Sequence, residues 1–475
     1  MEEFDNLFLK GKSAFKQSRT LLRAKNLAYG ILNCMGKGTI TGFLTSCGRQ
    51  FHDWSSDYRL FQGDKMNVDE IFNALRKDMV NNVLDKASPI YAHMDDTLLR
   101  KTGKKIPGTA WRRDPLGPPF HTNFIWGQRF IQLSISLPNG SVPCMSKAIP
   151  VDLHHSPTVP KPKKSDGKAE WDCYMEKKKK QRLSQKGAER ICGLREKLDQ
   201  DGAGNRQLII SVDGSYTNET VLKKLPKKVT LIGRIRKDTA LFNIPDTSIK
   251  GVGRNRVYGP PFPCPEQIRQ SDDFKWQEIK AFATGKEHVF NVKVVKDVRW
   301  KKAGKQNLQV VIIRPLAYRL TKKSRLLYRQ PAYLVCSDAG LDIQKLLQAY
   351  LWRWEIEVNF KEEKTLFGCG QAQVRTKSSV EKIPSFIVAV YAMLQLASHK
   401  IHVVGKTKHL PRARWYPGQR SYRNTTGDII NCFKTQLWAK YTGFNFNHFV
   451  KLETSSQSHG YNTNPTLSAI FYSRK

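Results

Sequence analysis

The chain has 475 residues, which at about 100 to 200 residues per domain suits two to four domains rather than one. Its 40% hydrophobic and 10% aromatic content is enough to bury real cores, which excludes wholesale disorder. The 80 Lys and Arg against 41 Asp and Glu leave a formal charge of +39, far beyond what solubility requires, and point to a polyanionic partner, because each neutralised phosphate releases condensed counterions.

Nucleic acid is the expected polyanion. Ribosomal proteins are usually shorter, and no Lys-rich amphipathic helix with a broad apolar face argues for a membrane. The nine cysteines are scattered, with no CxxC pair, so neither a zinc ribbon nor a disulfide framework is expected. The opening Met1-Glu2-Glu3 lacks an apolar signal core, which reads as an intracellular, cytoplasmic chain.

Residues 1–85 carry Leu, Phe and Ile at helical spacing with basic residues between them, as in Phe15-Lys16-Gln17-Ser18-Arg19 and Phe72-Asn73-Ala74-Leu75-Arg76. A helical domain is expected there, for DNA binding or for dimerisation. From Pro89 the pattern turns to strands. Ile90-Tyr91-Ala92-His93-Met94 ends at Asp95-Asp96-Thr97, Phe124 to Leu137 approaches alternation, Pro138-Asn139-Gly140 makes a turn, and Val142 to Leu153 returns as the partner strand. A lysine-rich stretch over 160–185, with Lys177 to Lys180 unbroken, leads into a helix near Leu183 to Leu198. Leu208-Ile209-Ile210-Ser211-Val212 is a buried strand stopped by Asp213-Gly214-Ser215, and Val229 to Ile235 is another. The order of elements is that of a mixed α/β fold.

Residues 236–335 break the alternation. A Gly/Pro/Arg-rich segment from Gly251 to Pro261 precedes β-rich runs such as Val289 to Val298 and Leu308 to Ile313, so a β insertion is expected. Arg254 and Arg256 in that segment suit a DNA minor groove or a solvated loop. From Asp342 a strong helix runs to about Phe367, and Val380 to Lys400 gives another. The apolar stretch Ile383 to Ala397 is too short to span a bilayer and reads as a buried helix. Residues 406–475 form a basic, aromatic tail for DNA contact or dimerisation.

The helix from Asp342 carries Tyr350, Arg353, Glu357 and Lys364. At roughly 100° per residue these four share a sector of roughly 60°. Trp352, Trp354, Ile356 and Phe360 make the remaining surface apolar, so the stripe reads as the polar exception on a largely buried helix, and buried mixed charge needs a partner such as a phosphate and its metal ion. Asp95 and Asp213 each follow a short strand, where a side chain can project into a crevice. Three carboxylates gathered from two strands and a late helix repel one another unless divalent cations hold them, and oxygen-only ligation suits Mg²⁺ or Mn²⁺. Two such ions about 4 Å apart serve in-line displacement at a phosphodiester. His93 and the pair His154-His155 read as packing or surface residues.

The spacing Tyr350-x2-Arg353-x3-Glu357-x6-Lys364 resembles the Y-R-E-K signature of bacterial insertion-sequence transposases within the DDE superfamily. Gln371-Ala372-Gln373-Val374-Arg375 is similar to the segment that follows that block, Val212-Asp213-Gly214-Ser215-Tyr216 to the second block and Met94-Asp95-Asp96-Thr97 to the first. The resemblance spans about residues 50 to 400. It implies an RNase H-like catalytic core over 86–235 and 336–405, interrupted by the β-rich insertion at 236–335. It also implies Asp213 and Glu357 as the second and third metal-binding carboxylates and Asp95, with Asp96 as the fallback, as the first. Tyr350, Arg353 and Lys364 would hold transposon-end phosphates. Trp300 and Tyr328 would be possible stacking platforms for an extracted base, with core packing the better reading of each. The implied activity is cut-and-paste transposition in a bacterial, nucleoid-associated setting, with Mg²⁺ as cofactor, inverted-repeat ends and target DNA as partners, and at least a homodimer on DNA. An RNase H-like nuclease without strand transfer and a catalytically inactive DNA-binding derivative are the alternatives.

Overall fold

The N-terminal segment folds into five helices, α1 (Glu2–Lys10), α2 (Ser18–Asn33), α3 (Ile40–Ser46), α4 (Ser55–Tyr58) and α5 (Val68–Asn82). The computed structural model describes residues 1–114, 117, 122–140, 142–246, 255–321, 324–405, 410, 424–446 and 469–471. Helix starts are set by short polar side chains: Thr39 accepts the Gly42 N–H and Asn67 that of Asp69. The apolar faces of these helices do not close on one another. Phe4, Leu7, Phe8, Leu27, Ile31 and Leu75 belong to one buried cluster with residues of the central sheet, so residues 1–85 share the core of the rest of the chain.

Strands β1 (Ile90–Arg100), β2 (Ala110–Arg113), β3 (Phe124–Pro138) and β4 (Ser146–His155) follow. β1, β3 and β4 form an antiparallel meander, with Asp95 opposite Gln132 and Ile131 opposite His154. Helices α6 (Lys168–Lys180) and α7 (Leu183–Leu198) lead to β5 (Leu208–Val212), which lies parallel to β1 with Met94 beside Val212. After α8 (Glu219–Leu222), β6 (Val229–Arg234) adds parallel to β5, and Val212 sits beside Gly233.

The β-rich segment contains β7 (Leu241–Asn243), β8 (Pro261–Phe262), α9 (Pro265–Gln270), β9 (Gln277–Ala283), β10 (Lys286–Arg299), β11 (Leu308–Ile313), β12 (Ala317–Tyr318), β13 (Leu327–Tyr328) and β14 (Ala332–Cys336). Only the β12–β13 ribbon stands apart. The other strands continue the main sheet through β14, which pairs with β6, to give the order β2-β3-β1-β5-β6-β14-β11-β10-β7-β8, with β4 on β3 and β9 on β10. The insertion in sequence is therefore an extension of the sheet in space.

Helices α10 (Ile343–Trp352), α11 (Trp354–Thr365), α12 (Lys377–His399) and α13 (Thr426–Thr442) follow among the described residues. Alternation along the strands divides the core. Tyr91, Ile209 and Ile232 pack with Leu346, Leu347 and Trp352 of α10, whereas Ala92, Met94, Ile210 and Val212 join the larger cluster that includes α5, α7 and α12. Every residue from Ile383 to Ala397 is buried, as the apolar run anticipates. Lys377–Val404 is long and apolar enough to cross a membrane, but 67% of its most apolar window is buried inside the protein. Burial against other elements accounts for its composition. Most of the tail over 406–475 lies outside the described residues, and within it Phe433 of α13 packs edge-on against Phe4 and Tyr29.

Candidate active site

Parallel pairing ends at Met94 and Val212, so Asp95 and Asp213 each stand one residue past the last pair, on adjacent strands at the same end of the sheet. Because strand side chains alternate, Asp95 and Asp96 leave β1 on opposite faces. Asp95 meets Arg353, whose Nη1 donates to its Oδ2 at 3.1 Å. Asp96 instead accepts from Tyr216 Oη at 3.0 Å and pairs with Arg129 Nε at 3.2 Å. The two neighbouring side chains thereby take different partners. Asp95 faces the late helices, and Asp96 faces the turn after Asp213.

The late helix is not continuous. It divides at Arg353, where the Arg353 N–H donates to the Tyr350 carbonyl and the Ile356 N–H to the Arg353 carbonyl, a local tightening to i,i+3 bonds. Neither glycine nor proline is present at the break. Contacts on α10 fix its position: Ser211 Oγ donates to the Ala349 carbonyl at 3.1 Å, Trp352 Nε1 to the Cys144 carbonyl at 2.9 Å, and Gln348 exchanges two bonds with the Phe282 backbone. α11 is tied to the meander by Asn359, which donates to Ser134 Oγ at 3.2 Å and to the Ala148 carbonyl at 3.1 Å. Between these two anchored helices, Arg353 reaches both ways, and its Nη2 donates to Glu357 Oε1 at 3.1 Å. One guanidinium thus joins carboxylates whose carriers, β1 and α11, lie far apart in the sequence.

Burial pushes the Asp95 carboxyl up to about 7, against the pull of Arg353 and of the Asp96 N–H, with Asp96 and Asp213 adding repulsion. Asp96 is raised as well, chiefly by burial, while Arg129 and Tyr216 oppose the rise. Burial works against the Arg353 charge, yet Tyr350, Asp95, Glu357 and Asp213 together hold its proton more firmly than usual. Tyr350 lies beneath the guanidinium, with 5.7 Å from the ring centre to Cζ, and burial raises its phenol. Burial first, and the neighbouring acids only secondarily, make the Asp95 carboxyl costly to ionise, and perturbed acids of this kind cluster at functional sites.

Other expected members fall elsewhere. Lys364 sits over the Phe360 ring, with burial lowering its ammonium, and is not bonded to the Asp95–Arg353–Glu357 group. Arg256 is exposed in the loop between β7 and β8, at the far edge of the sheet, and Arg254 lies outside the described residues. Trp354 is 60% exposed rather than part of an apolar surround, because the break at Arg353 turns it outward. Trp300 is a core residue as expected, but Tyr328 is 65% exposed, because the β12–β13 ribbon stands off the sheet. His93 is fully buried, its Nε2 2.6 Å from Ser136 Oγ, with its pKa lowered to about 3 by burial and by Arg353. His155 stacks on Phe130, and its Nδ1 lies 3.3 Å from Glu381.

Among the described residues, no three His, Cys, Asp or Glu side chains are grouped closely enough to hold a metal ion. Between Asp95 and Glu357 the cation is the guanidinium of Arg353. The donor chemistry nevertheless fits a hard divalent ion: carboxylate oxygens only, one of them on a carboxyl that burial and neighbouring acids make costly to ionise alone. Such an ion would take over oxygens that Arg353 now holds, and Glu357, whose side chain is 37% exposed, has room to turn.

Sequence reasoning missed several supporting residues. Tyr216 and Arg129 hold Asp96. Lys101, buried, donates to the Gly370 and Ala372 carbonyls at 2.7 Å each and so fixes the loop that leaves α11. Glu363 is buried beside Gln132, with its carboxyl pushed up to about 8 by burial. Only Tyr216, three residues after Asp213, carried a positional hint. Compared with models of known protein families and with curated protein sequences, the chain matches none.

Proposed function

We propose that this protein is a metal-dependent DNA transposase that cuts at the ends of its element and joins the released 3′-hydroxyl to target DNA. The observation that carries the reading is the meeting of Asp95 and Glu357 on one guanidinium, with Asp213 beside them, although 258 residues separate Asp95 from Arg353 in sequence. Support comes also from the topology. An antiparallel meander β4-β3-β1 followed by parallel β5 and β6, with Asp213 just past β5 and Asp95 in mid-β1 where its parallel pairing to β5 stops, rather than at a strand end as its sequence context suggests, is the arrangement expected of an RNase H-like core. The formal charge of +39 supplies the means to hold DNA.

Asp95, Asp213 and Glu357 would hold Mg²⁺ or Mn²⁺, and the bound cation would supply Lewis-acid stabilisation of charge at the phosphodiester during attack by an oxygen nucleophile. The chain's own residues do the rest. Arg353 has a planar fork suited to a phosphate once the carboxylates no longer need it, and Tyr350 supports the guanidinium from below. Lys364, on the next turns of α11, offers a point charge farther along the DNA end. Asp96, through Tyr216, holds the turn that carries Asp213.

The test uses purified protein, Mg²⁺ and a duplex bearing the inverted repeats that flank its gene. Cleavage should occur, a pre-cleaved end should be joined to a target duplex, and Glu357→Ala should lower cleavage by about 10³-fold, corresponding to roughly 4 kcal/mol of lost charge stabilisation. Cleavage without joining would assign the protein to RNase H-like nucleases instead. Cleavage that survives in Glu357→Ala would overturn the site.

A further inference from the structure

Helix α6 is unlike every other long helix of the fold: none of its 13 residues is buried. No side chain caps its N-terminus. Its rings, Trp171 and Tyr174, meet each other edge-on and are covered by the ammonium groups of Lys161, 5.5 Å away, and Lys178, 5.4 Å away, rather than by a core. Its last turn is Lys177-Lys178-Lys179-Lys180, all exposed, with an exposed pair from Glu176 to Lys180. Residues 161–186 hold ten Lys and Arg against four Asp and Glu, a local charge of +6.

A helix of this length with no packed face is marginal in water, and adjacent like charges weaken it further. A polyanion laid along it would remove the repulsion. The fold also puts α6 where such a polyanion would run. β4 ends at His155, which pairs with Phe130, which in turn pairs with Thr97, two residues past Asp95. The chain therefore leaves the meander at the end of the sheet that bears the carboxylates. α7 starts three residues after α6, and Gly187 in its second turn packs on the ring of Tyr216, whose hydroxyl bonds Asp96. From Lys180 to Gly187 the chain spans at most ~17 Å, about half a helical turn of duplex DNA.

We propose that α6 is a clamp for the phosphate backbone of duplex DNA running past the carboxylate end of the sheet, with Lys177 to Lys180 as its grip. The partner rests on the reading of this protein as a DNA transposase, but the clamp is tested by binding alone. DNA carries one negative charge per ~1.7 Å of axis, enough for all four lysines, and the contact is blind to sequence.

The experiment measures affinity of the full chain for a duplex of arbitrary sequence between 50 and 200 mM KCl, for the wild type and for a variant with Lys177→Gln, Lys178→Gln, Lys179→Gln and Lys180→Gln. Glutamine keeps helix propensity, and no buried contact is lost. With about two to four phosphate contacts removed, the wild type should lose affinity roughly 10- to 150-fold more than the variant over that range. An unchanged salt dependence would overturn the clamp, as would loss of binding to phosphatidylserine vesicles with DNA binding intact. Glu357→Ala separates the two proposals. It should leave the salt dependence as in the wild type, so a clamp that passes while Glu357→Ala still cleaves would sink the catalytic reading alone.

Discussion

Removing the guanidinium that joins Asp95 to Glu357 should destabilise the protein in a pH-dependent way, and the size of the effect can be bounded. The Asp95 carboxyl lies at about 7 in the folded chain, above its ordinary 3.8, so the folded state is penalised as pH rises from 3.8 through about 7. Arg353 opposes that rise. Arg353→Ala should lift the carboxyl further and extend the penalised window upward. At pH 5 Asp95 is protonated with or without Arg353, and the variant loses only uncharged contacts and the pair to Glu357, which at 37% exposure is worth less than ~1 kcal/mol. At pH 9 the wild-type carboxylate is ionised against its partner, whereas the variant must bury the charge alone or take up a proton. Over the two pH units above 7 the extra cost reaches at most ~2.7 kcal/mol, at ~1.36 kcal/mol per unit. Urea denaturation of both proteins at pH 5 and pH 9 measures the difference. Equal cost at the two values would refute the electrostatic account of the bridge. On an Asp95→Asn background the pH dependence should disappear.

Asp95→Asn should lower Mg²⁺-dependent cleavage by about 10³-fold, whereas Asp96→Asn should keep cleavage within tenfold and cost ~1 kcal/mol of stability through its bonds to Tyr216 and Arg129, both read from paired cleavage and denaturation assays. At fixed, subsaturating Mg²⁺, cleavage should fall about tenfold per unit as pH drops below about 7, since a proton on Asp95 competes with the cation; a flat profile between pH 5.5 and 7 would disprove this competition. Gly233→Ala would drive its new methyl into the Thr217 side chain, which bonds the Asp213 carbonyl, so cleavage should drop more than urea midpoint stability does. Lys101→Met should cost about 2 kcal/mol by leaving the buried carbonyls of Gly370 and Ala372 unpaired, as measured by urea denaturation.

The parts of this fold that were legible in the sequence are those whose cause is local. Leu183 to Leu198 reads as a helix because its apolar residues recur at helical spacing, and those are the bounds of α7. Leu308 to Ile313 is apolar at every position but Gln309 because β11, between β10 and β14, is buried along its whole length. The break at Arg353 was not legible. No helix-breaking residue marks it, and it arises where two anchored helices meet around a side chain that bonds a strand 258 residues away. The directions in which Asp95 and Asp96 face were hidden for a similar reason. Alternation fixes that they face opposite ways, but which way depends on the pairing of Met94 with Val212. The continuation of the sheet through β14 was also invisible, because strand order is a matter of partners rather than of composition.

The two neighbouring aspartates of β1 therefore take partners from different parts of the fold. Asp95 shares its cation with Glu357, so its charge is tied to the late helices. Asp96 bonds Tyr216, whose ring packs on Gly187 of α7, so its charge is tied to the turn after β5 and to the helix that follows α6. A carboxylate at either position would lie close to Asp213, but only the face toward Arg353 also brings Glu357 within reach. The opposite face supplies instead a rigid mounting for Asp213, with Arg129 compensating the charge at 3.2 Å. An acid in the mounting role needs no exchangeable partner, and an acid in the other role needs one. The guanidinium that Asp95 now accepts from is the group best suited to move from carboxylate to phosphate, since its fork matches both. Asp96 shares its Arg129 with no second carboxylate of the Asp213–Glu357 group and is held in addition by Tyr216.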